Sequence, residues 1–177
     1  GTCNTYPLSL SARQALAIFA HRSINPLRQF NGPWLQAHLF QYSIYFFFII
    51  LIPFKDSLSP TDNGFVFRLY DYETRLIIKD SVGGGKITGA NNTGNGGAFL
   101  AERGGLYILG GEISGNKAAN GAGIYWESQN NLCVCDCVIT GNEAEGNGGG
   151  IYGTDYGNMY FGGDAIVSGN TDKYSEN

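Results

Sequence analysis

Lys86-Ile-Thr-Gly89, Glu112-Ile-Ser-Gly-Asn116, Val138-Ile-Thr-Gly-Asn142 and Ile166-Val-Ser-Gly-Asn170 are four versions of one signature. Their glycines recur at intervals of 26, 26 and 28 residues. Two further signatures keep the same beat. Asn95-Gly-Gly-Ala-Phe-Leu returns as Asn120-Gly-Ala-Gly-Ile-Tyr and Asn147-Gly-Gly-Gly-Ile-Tyr. The strand-like Leu106-Tyr-Ile returns as Leu132-Cys-Val and Met159-Tyr-Phe. A double glycine precedes three of the four leading signatures, at Gly84-Gly85, Gly110-Gly111 and Gly162-Gly163; before the third, Asp136-Cys137 stands in its place. A fixed period of this size is the mark of stacked repeats.

Each unit holds three short apolar strands separated by Gly/Asn turns, with no helical period between them. A unit so small cannot close a core alone. Stacking units in parallel, about 4.8 Å apart, lets like strands pair and like side chains meet. Alternation within a strand then sends Leu106, Ile108, Leu132 and Val134 inward, and Tyr107 and Cys133 outward. Corners between strands need positive φ, which Gly supplies and Asn tolerates. Gly115, Asn116, Gly141, Asn142, Gly169 and Asn170 are therefore the expected corner residues, with the asparagines stacked into an amide ladder. The first unit has Ala90 where Asn is expected. The expected fold is all-β, a parallel β-helix of about 3–4 coils over residues 63–177, truncated at its C-terminal end. Asn63–Glu73 reads as an entry coil, and an uncapped coil end predicts a marginal or aggregation-prone molecule.

Residues 1–62 lack the glycine pattern. Leu10–Arg22 reads as a short helix with Ser9 or Ser11 as its cap, and Pro26 and Pro33 stop its continuation. Leu39–Phe54 is intensely apolar, with nine uninterrupted apolar residues from Ile44 to Ile52. As a helix it would span about 24 Å, short of a hydrocarbon core of roughly 30 Å. Three readings stay open for this N-terminal segment. It is an export signal or membrane anchor acting through residues 34–54, a cap on the coil, or sequence foreign to the fold.

The combination of GG-x-I-[ST]-G-N with N-G-G-G-I-Y resembles the repeats of bacterial polymorphic outer-membrane and autotransporter-like adhesins, over about residues 76–177. That resemblance implies a right-handed parallel β-helix of the pectin-lyase-like type. It also implies a secreted or cell-surface protein that adheres or displays.

The remaining chemistry is sparse. Of 177 residues 15% are charged, the net charge is −4 and no basic run occurs, which argues against nucleic acid as a partner. Twenty-seven glycines, roughly twice ordinary usage, accompany 43% hydrophobic residues, more than a disordered chain carries. Asp136, Asp155, Asp164 and Glu127 are the acidic candidates for an enzyme acting on polysaccharide, yet no Asp-Asp pair occurs. Cys133, Cys135 and Cys137 do not follow a zinc spacing, and Cys3 stands alone. No catalytic residue, metal or cofactor is assigned. Tyr107, Tyr125, Trp126, Tyr152, Tyr156 and Tyr160 lie in or beside strands. If outward, the first five would form an aromatic face for a host or surface glycan or protein, because rings give contact area at low entropic cost. A non-enzymatic extracellular repeat protein is the expected role. A carbohydrate-active β-helix enzyme, a polysaccharide lyase or glycoside hydrolase with its catalytic coils outside this fragment, and a plain structural stalk are the alternatives.

Overall fold

The computed structural model describes residues 47–52, 57–60, 64–80, 83–154 and 157–174. The helix expected over Leu10–Arg22 lies outside these residues, and no helix occurs among the described ones. Within the long apolar run, Phe47–Ile52 forms a strand.

Three short strands recur in a fixed order. The first round is β1 (Phe47–Ile52), β2 (Ser57–Leu58) and β3 (Phe67–Leu69). The second is β4 (Arg75–Asp80), β5 (Lys86–Ile87) and β6 (Phe99–Ala101). The third is β7 (Gly105–Leu109), β8 (Glu112–Ser114), β9 (Lys117–Ala118) and β10 (Ile124–Trp126). The fourth is β11 (Asn131–Cys135), β12 (Val138–Thr140), β13 (Glu143–Ala144) and β14 (Ile151–Gly153). β15 (Asn158–Gly162) and β16 (Ile166–Ser168) open a fifth. Like strands stack into three main sheets, β1-β4-β7-β11-β15 (sheet 1), β2-β5-β8-β12-β16 (sheet 2) and β3-β6-β10-β14 (sheet 3), and β9 pairs with β13 in a small fourth. Every pairing is parallel, so the described residues form an all-β parallel solenoid, about three turns of it built from the glycine-signature repeats. β1 and β2 pair in these sheets although they precede the first glycine signature.

The register puts like side chains in columns. On sheet 1, Leu76, Leu106, Leu132 and Met159 form one column, and Ile78, Ile108, Val134 and Phe161 another. Sheet 2 contributes Ile87, Ile113, Ile139 and Val167. Sheet 3 contributes Phe67, Phe99, Ile124 and Ile151, with the Phe67 and Phe99 rings stacked 5.3 Å apart. The three sheets close one apolar core through these columns. Each fully buried Leu or Ile contributes about 1.5–3 kcal/mol, and the largest residues are matched by small ones. Trp126 stands in register with Ala101 on one side and Gly153 on the other. A Cβ on Gly153 would collide with Met159 Cε, so the absent side chain is the space Met159 fills.

The corner after sheet 2 is held by asparagines. Gly115, Gly141 and Gly169 take φ of 65°, 62° and 63°, the left-handed turn that L side chains resist. The next residue, Asn116, Asn142 or Asn170, is fully buried. Asn116 Nδ2 donates to Asn142 Oδ1 and Asn142 Nδ2 to Asn170 Oδ1, both at 2.9 Å. The backbone N–H groups of Asn116 and Asn142 reach the same oxygens at 3.1 Å. Each Nδ2 also donates back to the preceding coil, to the carbonyls of Ile87, Ile113 and Ile139. Ala90 ends the ladder: its N–H still donates to Asn116 Oδ1, but it offers no amide of its own. A second, more exposed set joins Asn120 Nδ2 to Asn95 Oδ1 at 2.9 Å and the Asn147 N–H to Asn120 Oδ1 at 2.9 Å.

Departures from the period fall in turns. Asp136 replaces the corner glycine and takes φ of 52°, tolerable for Asp. Its Oδ1 accepts from the Asp164 N–H at 3.0 Å, tying the corner to the next coil. Ala118 pairs with Ala144, but the next matched pair is Asn120 with Asn147, so one extra residue lies between them. Another lies between Gly162 and Ile166 relative to Cys135 and Val138.

The ladder's energetic weight is testable by cutting it in the middle. Asn142→Ala strips the acceptor from two Asn116 donors and the donor from Ile113 O, at a cost of about 3 kcal/mol. Gly141→Ala meets no atom within 4 Å, so only backbone strain remains, about 1–2 kcal/mol. Urea titration followed by circular dichroism is expected to rank wild type above Gly141→Ala, and Gly141→Ala above Asn142→Ala.

Candidate binding face

Alternation on sheet 3 buries Phe67 and Leu69 and turns Arg68 and Tyr70 out. The same rule holds one and two coils on. Leu100, Tyr125 and Tyr152 stand in register with Arg68 along the outer surface. Glu102 and Glu127 follow β6 and β10 on neighbouring coils. Their N–H groups donate to Leu69 O and Ala101 O, respectively, which fixes them in line beside that row.

These side chains are mutually engaged. The Tyr125 and Tyr152 rings stack with centroids 5.2 Å apart and planes 16° from parallel, leaving Tyr125 only 8% exposed. The Tyr125 hydroxyl donates to Glu127 Oε2 at 3.3 Å. Burial raises the Tyr125 phenol above its ordinary value, and the negative charge of Glu127 raises it further. The Arg68 guanidinium donates to Glu102 Oε2 at 2.6 Å. Beside this row, Tyr70 lies 4.8 Å from the Arg68 guanidinium and 4.7 Å from that of Arg103, which also sits 5.2 Å from Tyr72. Tyr70 and Tyr72 are 56% and 50% exposed. Ser128 and Asn130 brace the loop: Ser128 Oγ and Asn130 Nδ2 both donate to Arg103 O, and Asn130 Nδ2 also to Tyr72 O. The result is a strip of rings and charges held in one arrangement by its own contacts.

The expected aromatic face is only partly assembled this way. Tyr125 and Tyr152 come together. Trp126 does not join them: it points into the core with no exposed surface, and its Nε1–H finds no partner there. Two residues apart from Ile124 in the inner row, it belongs with the packing columns. Tyr107 is turned outward as alternation requires, but on sheet 1, where it is 9% exposed and packs with Ile77, Cys133, Leu109 and Tyr160. Tyr156 lies outside the described residues. Arg68, Tyr70, Tyr72, Glu102 and Arg103 were not singled out from sequence. The Phe67-Arg-Leu-Tyr70 alternation carried the signal for the first two.

The thiols do not converge on one point. Cys133 sits in the outer cluster of sheet 1, whereas Cys137, beyond the left-handed turn at Asp136, joins the core. Among the described residues no group of three or more metal-ligating side chains occurs. Asp136 and Asp164 are joined at a corner, away from Glu127. Glu102 and Glu127 also stand on neighbouring coils, roughly one strand spacing of 4.8 Å apart along the stack, and each is already engaged. A cavity of about 20 Å³ lies at the corner of sheets 1 and 2, between Ile78, Ile87, Ile108 and Ile113; it has room for about one water.

Comparison with protein-family models, with curated proteins and with solved structures gives no match to this chain.

Burial pushes the Cys137 thiol up to about 12, with Glu112 adding to the shift. A raised thiol favours the folded state below the unfolded value near 9, and that contribution is lost as pH rises toward 12. In native protein at pH 8, Cys137 is expected to resist iodoacetamide, because the thiolate is the nucleophile. Alkylation mapped by peptide mass spectrometry, with and without urea, checks this. Rapid labelling of native protein at Cys137 contradicts the buried placement.

Proposed function

We propose that this chain is a non-enzymatic, extracellular or cell-surface β-helix module that binds a glycan or protein through the outer face of sheet 3. The observation that carries this reading is the Tyr125–Tyr152 stack flanked by the Arg68–Glu102 pair, Glu127 and the exposed rings of Tyr70 and Tyr72. The stacked pair covers one face of each of its own rings, so it braces the strip, and the half-exposed rings of Tyr70 and Tyr72 supply the accessible aromatic surface of the kind sugar faces and aromatic side chains cover. Their rotamers are held in advance, which lowers the entropy lost on binding. The flanking acidic and basic groups supply hydrogen bonds at the rim. An adhesin-like or display role on a bacterial surface, on a right-handed helix of the pectin-lyase-like type, follows from the likeness of the glycine signatures.

A second reading has one specific observation in its favour. Glu102 and Glu127 sit on neighbouring coils, and hydrolysis of a glycosidic bond uses two carboxyl groups about 5–10 Å apart. Against it, Glu102 is paired with Arg68 and Glu127 accepts from Tyr125.

One experiment separates the readings. The chain is screened on immobilised glycans, and any ligand found is incubated with it and assayed for new reducing ends. Binding that falls at least about tenfold in Tyr152→Ala and Tyr70→Ala, with no reducing ends released, is the expected result. Release of reducing ends that stops in Glu127→Gln establishes the hydrolase reading instead. Binding untouched by both tyrosine changes places the ligand elsewhere.

A further inference from the structure

On sheet 1 the alternation that turns Leu106 and Ile108 inward turns Ile77, Tyr107, Cys133 and Tyr160 outward in one column, with Lys79, Leu109, Cys135 and Gly162 in the next. Outward side chains of a solenoid shield one another along the stack and leave their far side to water. On sheet 2 this holds: Lys86 and Glu112, though paired, keep 44% and 30% of their side-chain surface. On sheet 1 it does not. Ile77 and Cys133 are each 6% exposed, Tyr107 is 9% and Cys135 is 4%. Among the described residues, Leu109 and Tyr160 are the hydrophobic side chains that pack against Ile77, Tyr107 and Cys133, and both stand on the same face. Neighbours in one face exclude water from the flanks; excluding it from above takes a further piece of chain. The sulfurs supply a second, independent observation. Cys135 is disulfide-bonded, whereas Cys133 and Cys137 carry free thiols. The sequence has four cysteines, and Cys3 is the one left.

We propose that Cys3 is bonded to Cys135, and that the N-terminal segment so tethered, residues 4–46, is the cover on the outer face of sheet 1. Reach is no obstacle. The segment leads into β1, the first strand of sheet 1, and β11 with Cys135 is the third strand on from it, about 14 Å away. The 43 residues between Cys3 and Phe47 extend to at most roughly 140 Å, so most of them are slack that can lie over the sheet. Their chemistry suits the surface. Residues 4–46 contain no Asp or Glu, and Leu16, Ile18, Phe19 and Phe30 are among their apolar side chains. A carboxylate laid on such a column would lose its water and gain no partner. The choice of Cys135 also has a reason. Its register neighbour on the next coil is Gly162, which has no side chain to stand in the way. Cys133 lies between Tyr107 and Tyr160, and Cys137 belongs to the core. Burial raises both of these thiols, away from the thiolate form that exchange requires. Closing the bond removes two electrons and two protons from the thiols of Cys3 and Cys135. A small-molecule disulfide such as glutathione disulfide takes them up and leaves as two thiols.

The test maps the bond and then probes the cover. The full chain, refolded with reduced glutathione and glutathione disulfide, is blocked with N-ethylmaleimide in denaturant. Trypsin and an Asp-specific protease, which cuts ahead of Asp136, then separate Cys137 from the other two strand cysteines. Tandem mass spectrometry is expected to find the Cys3 peptide joined to the peptide of Cys133 and Cys135, with the bond on Cys135 and maleimide on Cys133 and Cys137. In native protein the Cys133 thiol is expected to react slowly with maleimide. Cys3→Ser should speed that labelling at least about tenfold, because a cover without its covalent end dissociates more often, with the circular dichroism spectrum unchanged. Dithiothreitol added to the wild type should give the same acceleration, and serves should the variant fail to fold. A free thiol at Cys3 overturns the proposal. So does Cys3 bonded to Cys133 or Cys137, and so does Cys135 bonded to the Cys135 of a second molecule. Labelling of Cys133 that is equally fast with the bond intact and with it removed overturns the placement of residues 4–46.

Discussion

Each buried asparagine at the corner after sheet 2 has a single polar side chain, shut off from bulk solvent. Left unpaired, such an amide costs several times what its hydrogen bonds contribute net. The cost is avoided only when a coil above and a coil below stand in one register, because the oxygen takes two donors from one neighbour and the nitrogen reaches acceptors on both sides. The apolar columns would tolerate some sliding of one coil over another. The ladder does not. It converts a loosely ordered stack of greasy strands into one with a defined repeat.

Once the register is fixed, the outer faces are free to differ, and they do. Outside sheet 1, Ile77, Tyr107 and Cys133 continue the apolar character of the interior, and the cluster they form is itself buried. Outside sheet 3, rings alternate with charges, and each charge has a partner within the strip. The columns inside are nearly uniform, whereas the row outside changes from Arg to Leu to Tyr to Tyr along the stack. Residues released from packing carry whatever specificity the molecule has.

The architecture was readable because the same physical demand is met four times. Gly89, Gly115, Gly141 and Gly169 answer one backbone angle, and the asparagine after each of the last three answers one set of orphaned groups, so the pattern repeats with the geometry. The outer faces gave no such signal. Whether a tyrosine in a strand lies in or out turns on parity within that strand. Trp126 shows how this misleads: next to an outward Tyr125, it is the inward neighbour and serves as filling beside Gly153. The repeat signatures do put Tyr107 and Tyr125 in different strands of the coil, and the two residues accordingly lie on different sheets. The entry coil was the least legible part. Arg68, Tyr70 and Tyr72 belong to it, and it precedes the glycine signatures that set the register.

The two extra residues in the last coils sit beside corners, one before Asn147 and one before Ile166, while the strands and ladder on either side keep their pairing. A solenoid of this kind thus has seams where chain can be added at little cost. Closing a slightly longer turn costs only fractions of a kcal/mol, whereas one residue inserted into a strand would turn its inner row outward. Growth by insertion is channelled to the ridges between sheets. A new loop at the seam before Asn147 would therefore rise along one margin of the sheet 3 face and leave its stacked rings in place, whereas one before Ile166 would stand on the ridge between sheets 1 and 2.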